Sequence, residues 1–369
     1  MAGAQADRSV AQALLRAHFP VCAEHAYLNA GTNGPLADAT VAAMSQELER
    51  ELSEGRTAGG FARRSELAQQ LRARYGELLG CAAADVALTT CTSDGLFIVL
   101  SGLELRAGDE ILTSDQEHPG LLGALQALRD LRDVRIRTAP FAHLAEAVDA
   151  KTRAVACSHV SWITGELAPR ELAEVGARLP LVLDGAQGIG AVATDVQELQ
   201  AAAYAGAGQK WLCGPDGIGM LYVREDLRER LAVLRRGYTN FSDADLGLHA
   251  TLHEDARRFD SFALSAPLLA GAIAALDVLE QGDLSAAQAS AIALAGELAE
   301  ALAQRGREPA ARHAGTLVSF PSQDAAAERE RLADAGVIVR EIPGHELLRA
   351  SVGAWNNPAD IERLLGALL

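Results

Sequence analysis

The sequence predicts an α/β protein with a large domain, built on a mostly parallel sheet covered by helices, and a small α+β domain toward the C-terminus. Three observations carry that expectation. Between residues 86 and 223, short apolar runs alternate with segments of helical periodicity, as when crossover helices join parallel strands. After Arg224 the alternation gives way to two long helical segments and a few short strands. At 369 residues, 49% of them hydrophobic, the chain can supply two cores.

The elements follow in order. Residues 8–18 read as a helix, and Ala26 onward as a short strand that breaks into the glycine-rich turn Asn29-Ala-Gly-Thr-Asn-Gly-Pro35. That turn, with Asn29, Thr32 and Asn33, suits a pocket wall or an ordinary loop. Helices are expected over Leu36–Glu54 and Phe61–Leu79, the second with apolar residues at helical spacing. Strands are expected at Val86–Thr90, Glu110–Thr113, Val134–Arg137, Ala154–Ser158, Leu181–Leu183, Ala202–Ala205 and Gly219–Val223, with helices from about Ser93 and Gly120. Long helices follow at Leu264–Glu280 and Leu284–Gln304. Then come strands at Thr316–Phe320, Val337–Glu341 and Leu347–Val352, a helix over 324–335 and a last helix from Pro358. The expected division is a large domain over 27–240 and a small domain of 264–369 with an N-terminal arm, 1–26.

A net charge of −16 argues against a nucleic-acid partner or an anionic-membrane surface. No apolar run approaches the roughly 20 residues that span a bilayer, and the N-terminus carries Asp7 and Arg8 where a signal peptide would not. The five cysteines show no paired spacing, which suits reduced thiols and a cytoplasmic location.

Chemistry concentrates between Leu181 and Lys210. Only two of the 33 Lys plus Arg residues are lysines, Lys151 and Lys210, so this chain takes its ordinary positive charge from arginine. Lys151 lies among charges and reads as a surface residue. Lys210, in Gly206-Ala-Gly-Gln-Lys210 before Trp211, sits where partial burial favours a neutral, nucleophilic amine. Asp184 ends an apolar strand, at the edge where open α/β sheets bind ligands. It either caps the next segment or faces a cation, and a protonated pyridine is such a cation. Pyridoxal phosphate joins that ring to an aldehyde that a lysine can capture.

Other candidates are weaker alone. Thr92 and Ser93 open a helix after a strand, a place for phosphate or a plain cap. His118, in Glu117-His-Pro119, could stack on a heteroaromatic ring. Arg349 sits on an apolar strand, where it needs an anion: a substrate carboxylate or a structural acid. The glycine clusters after Asp184 and Gly214 do not match GxGxxG, which argues against a dinucleotide, and the nine histidines show no metal-ligand spacing, so no metal is expected.

The motifs HVSWITG (159–165), LVLDGAQGIGAV (181–192), GQKWLCGPDGIGMLYV (208–223) and LLRASVGAWNNPADIERLL (347–365), with TTCTSDGL and EHP before them, resemble the class V aminotransferase family of fold type I pyridoxal phosphate enzymes. That group includes cysteine desulfurases, selenocysteine lyases, isopenicillin N epimerase-like proteins and carbon–sulfur lyases. The resemblance implies that Lys210 is the Schiff-base lysine, Asp184 the partner of the pyridine nitrogen, Gln187 the contact to the ring hydroxyl and His118 the stacking ring. It also implies phosphate binding by Thr92 and Ser93 and carboxylate binding by Arg349. Gln209 stands where desulfurases have a histidine before the lysine, and Trp162 where they have asparagine after HVS. Gln209 is expected on the cofactor side, and Asn33 and Trp162 with Arg349 on the substrate side. The family's RFExGT segment appears as Arg258-Phe-Asp-Ser-Phe262, so Ser261 is the candidate contact to the partner subunit's phosphate in a homodimer. No cysteine follows Cys213, so the desulfurase persulfide cysteine has no counterpart. The expected activity is α-proton abstraction from a small amino acid, leading to a carbon–sulfur or carbon–selenium lyase. Transamination and epimerisation are the alternatives, and a sensor on the same fold is the non-enzymatic one.

Overall fold

A computed structural model describes residues 12–281 and 283–368. The first strand is β1 (Ala26–Tyr27). Seven strands form the main sheet: β2 (Val86–Thr89), β3 (Glu110–Ser114), β4 (Arg135–Ala139), β5 (Thr152–Ser158), β6 (Leu181–Asp184), β7 (Ala203–Ala207) and β8 (Gly219–Val223). Their order is β2-β8-β7-β6-β5-β3-β4. Neighbouring strands from β4 to β7 run parallel, while β8 is antiparallel to both β7 and β2. Apart from the edge strand β4, the sheet is largely buried on both faces, and alternation divides its strands between two cores. Val182 and Ala87 face the helices Thr92–Gly102 and Pro119–Arg132 through Leu96, Leu100, Leu121 and Leu125. Leu181, Leu183, Val86 and Leu88 face the helices Ala58–Leu79 and Ala266–Glu280 through Leu67, Leu71, Tyr75, Leu269 and Leu276.

A second, antiparallel sheet has the order β11-β12-β9, with β9 at Leu317–Pro321, β11 at Arg340–Glu341 and β12 at Leu347–Ser351. Val318, Phe320, Leu348 and Ala350 bury one face of it against Leu294, Leu298 and Leu302 of the Leu284–Gln304 helix and Ile361 and Leu364 of the Pro358–Ala367 helix. The last helix starts on a reciprocal cap between Asn357 and Asp360, with proline in its first turn.

One expected strand is two. Residues 337–341 break at Val339: β10 (Val337–Ile338) pairs in parallel with β1, and β11 pairs with β12. Each half finds its hydrogen-bonding partner on a different segment, which periodicity cannot reveal. The opening helix is seen over residues 12–17, and the rest of its expected N-terminal half, residues 8–11, lies outside the described residues. Arg16 ties this segment to the C-terminal helix through Asp360 at 2.7 Å. Among the described residues no helix is long and apolar enough to cross a membrane.

Candidate active site

The C-terminal ends of β3, β5, β6 and β7 converge at one edge of the main sheet, and the chain beyond β3, β6 and β7 delivers His118, Asp184 and Lys210 to a cavity of about 200 Å³. This is the edge at which open α/β sheets take ligands. Thr92, Ser93, Trp162, Gln187, Gln209 and Arg349 also line it. The structure therefore gathers most of the sequence candidates around one space.

Lys210 is half-buried, its open side being the cavity it lines. Burial pulls its amine down to about 8, Asp184 acts in the opposite sense, and Arg349 and Arg340 lower it further. With a pKa of about 8, roughly a tenth of it is neutral at pH 7. The lysine loop is clamped by the N-terminal turn. The Gly34 amide donates to the Gln209 carbonyl at 2.8 Å, and a Cβ at Gly34 would lie 2.1 Å from the Lys210 carbonyl oxygen, so only glycine fits there.

Asp184 is buried at the end of β6, where its Oδ1 accepts the Ala186 amide at 2.9 Å. Burial raises its pKa, against the pull of Lys210 and the Ala186 amide. Such a carboxylate gains from a cation or a donor placed beside it. Gln187 donates from Nε2 to the Gly31 carbonyl at 2.7 Å and accepts the Trp211 indole N–H at 3.0 Å. His118 accepts the Gly120 amide on Nδ1 at 3.0 Å, which caps the next helix and leaves the ring proton on Nε2. Burial, then Lys210, Arg349 and Arg340, hold it down to about 4, so it is a neutral flat ring at pH 7. The Trp162 ring meets it edge-on, centroids 5.0 Å apart.

At the other end, no side chain caps the Thr92–Gly102 helix, and the buried Thr92 hydroxyl has no partner. Free amides and an unspent hydroxyl at a helix N-terminus suit an anion. The Gln209 side-chain oxygen and the Trp162 indole nitrogen are likewise buried without partners.

Arg349 is 1% exposed, and its guanidinium donates to the Trp162 carbonyl at 2.7 Å while its Nε has no partner. Burial, then Arg340, push it down to about 9, still cationic at neutral pH. The alternative of a structural acid is not met: its one side-chain bond among the described residues goes to a carbonyl. Arg340 is its direct cross-strand partner and lines the same cavity. Like charges placed opposite one another repel, so this pair of cations is tuned for an anion between or beside them.

Asn33 and Ser261 do not line this chain's cavity, and Ser261 was expected at a partner's cavity, not its own. Asn33 is exposed and off the cavity wall, because the turn presents Gly31 and Thr32 there instead. Ser261 is buried outside this cavity; its hydroxyl bonds Asp94 and accepts Arg235 at 3.0 Å. Five wall residues were not anticipated from sequence: Gly31, Cys91, Ala186, Ala207 and Arg340. Behind the wall, buried Glu117 accepts from the Ser114 hydroxyl and from the Ser158 amide and hydroxyl, at 2.9 and 2.6 Å, joining β3 to β5. Arg340 had a signal, a lone cation in an apolar stretch, but no register to place it.

The cavity thus offers a nucleophilic amine, a buried acid, a neutral aromatic ring, an anion cradle and a guanidinium with no acid partner among the described residues. A flat ligand with a cationic nitrogen and an anionic tail fits that donor set, and pyridoxal phosphate has both. Known proteins point the same way. A probable cysteine desulfurase of Methanothermobacter thermautotrophicus is 29% identical over 238 residues, 60% of this chain and 59% of that relative, so the aligned stretch spans less than two thirds of its length. The solved complex of the cystine C–S lyase C-DES with its reaction product cysteine persulfide is 29% identical, with a TM-score of 0.88 over 95% of this chain and 98% of that one. A C-DES variant with glycine covalently linked to its PLP cofactor is 28% identical, with a TM-score of 0.89 over 96% of this chain and 98% of that one. Residues 26–364 match the family described as aminotransferase class-V. That match covers nearly the whole chain, and the protein belongs to the aminotransferase class-V family of pyridoxal phosphate-dependent enzymes.

Proposed function

We propose that this protein is a carbon–sulfur lyase that cleaves a disulfide-bearing amino acid of the cystine type and releases the sulfur product without passing it to a protein cysteine. Bound in the cavity, pyridoxal phosphate supplies an aldehyde for covalent capture and a ring that accepts electron density from the substrate α-carbon. The remaining work falls to the chain. Thr92, Ser93 and the amides of their helix would hold the phosphate, Asp184 would keep the ring nitrogen protonated, His118 would stack on the ring, and Gln187 and Gln209 would hydrogen-bond it. Lys210 would hold the cofactor through its side-chain amine, and that amine would serve as the base for the substrate α-proton. Arg349 holds the substrate carboxylate.

The observation that carries the reading is that one cavity is lined by Lys210, Asp184 and Arg349, the last of which has no acid partner among the described residues. The substrate class rests on the second cation. A simple amino acid has one carboxylate, whereas cystine has two, and Arg340 stands ready for the far one. The C-DES neighbour is a cystine lyase, and no cysteine follows Cys213 here. The same reading divides the chain into a large unit, 27–240, and a small one, 1–26 with 264–369. It also pairs two chains, with Ser261 of one reaching toward the other's phosphate.

The experiment is a substrate screen on yellow, cofactor-loaded protein, with cystine, cysteine and alanine supplied separately. Cystine should yield persulfide and pyruvate faster than cysteine yields sulfide, while Lys210→Ala should lose both the visible band and all turnover. A keto acid from alanine, or inverted alanine, at rates above those on cystine would shift the assignment to a transaminase or an epimerase. Wild-type protein that no added pyridoxal phosphate can colour rejects the enzyme reading altogether.

A further inference from the structure

We propose that Trp211 is a positioning residue, whose indole N–H holds the Gln187 carboxamide so that it turns an N–H, not an oxygen, toward the ring oxygen of the cofactor. The inference rests on the pyridoxal phosphate reading above and adds to it a residue outside the cavity wall.

An isolated carboxamide can flip, exchanging donor for acceptor at its free end. Here both neighbours are single-purpose. The Trp211 indole nitrogen only donates, and it meets Gln187 Oε1 at 3.0 Å. The Gly31 carbonyl only accepts, and it meets Nε2 at 2.7 Å. Flipping the amide would set N–H against N–H and oxygen against oxygen. Water cannot stand in, because Gln187 is 4% and Trp211 3% exposed. Nε2 carries two hydrogens, and Gly31 takes one. The other is left for the cavity that Gln187 lines. The clamp also needs Gly31 to approach closely, since a Cβ there would lie 3.0 Å from Gln187 Oε1 and 2.8 Å from an Arg349 guanidinium nitrogen. Trp211 follows Lys210 in sequence, so one turn of backbone fixes both the lysine and the amide clamp.

An N–H aimed at the ring oxygen favours its anionic form, and so lets the proton it shares with the lysine nitrogen leave at lower pH. The visible absorbance of the loaded protein reports that proton. In Trp211→Phe the midpoint of its pH titration should rise by about half a unit or more, with cofactor stoichiometry retained. Gln187→Leu should raise it at least as far, and the double variant no further than Gln187→Leu alone. A midpoint unmoved in Trp211→Phe, or shifts that add in the double variant, overturns the inference alone. Wild-type protein with no visible band overturns this and the cofactor reading together. If Trp211→Phe does not fold, the loaded wild type and Gln187→Leu, labelled with ¹⁵N-tryptophan, give the test. One of the three indole N–H signals should move and exchange faster when Gln187 is lost; three unmoved signals overturn the proposal.

Discussion

Asp184 and Lys210 reach the cavity from neighbouring strands of the main sheet, β6 and β7, whereas Arg349 and Arg340 reach it from an antiparallel pair late in the chain. The first side is balanced in charge: the acid and the amine each offset part of the other's burial. The second is not, since two guanidiniums face one another and Arg349 pairs with no acid among the described residues. A protein that leaves buried like charges together leaves room for a ligand to neutralise them. The sheet side is therefore balanced within the chain, whereas on the proposed function the hairpin side would be balanced by the substrate.

That contrast can be broken on the hairpin side first. If Arg349 holds the substrate carboxylate as proposed, Arg349→Leu should remove two charge-assisted bonds, about 4 kcal/mol or close to a thousandfold in kcat/KM. Steady-state kinetics should show it while the visible band of the bound cofactor stays in place; loss of the band would mean that the two sides are one unit. The sheet side offers a stability test. Burial pushes Glu117 up to about 7 from 4.5, against the Ser114 and Ser158 hydrogen bonds. Between those values the folded state binds more protons than the unfolded, so stability falls as pH rises through the window and levels off above about 7. Glu117→Gln should abolish that slope, a relative gain on the order of 3 kcal/mol between pH 4.5 and 8. Denaturant melts of the cofactor-free protein at pH 5, 6.5 and 8 check it, and parallel curves for the two proteins would contradict it. The smallest effect concerns substrate choice. Arg340→Gln should raise KM for cystine about tenfold, roughly 1.4 kcal/mol, and leave KM for cysteine unchanged; equal losses on both would remove the two-carboxylate reading.

The two sides also differ in how far they can be read without a structure. Lys210 stands out because arginine does nearly everything else cationic, and Asp184 because it terminates an apolar run; both are local signals. The central strands were legible for the same reason, β8 included, since a residue run buried on both faces looks alike in either direction. Arg340 was not legible. It lies in a stretch that reads as one strand, and only the break at Val339 and the pairing with β12 place it opposite Arg349. Asn33 misled because its amide looks useful, while the backbone of that turn brings Gly31 and Thr32 to the wall. Trp211 entered only as the neighbour of Lys210, and its indole bond depends on a carboxamide that is distant in sequence.

The pairing of β1 with β10 brings residues 26 and 27 against residues 337 and 338. During synthesis the earlier strand emerges from the ribosome long before its partner exists, and until then the turn that carries Gly31 is held only through Gln187 and Gln209. All seven strands of the main sheet, by contrast, have been made once Val223 is out. A nascent chain can thus hold every strand of the main sheet early, while the two arginines of the hairpin reach the cavity only when translation is nearly finished.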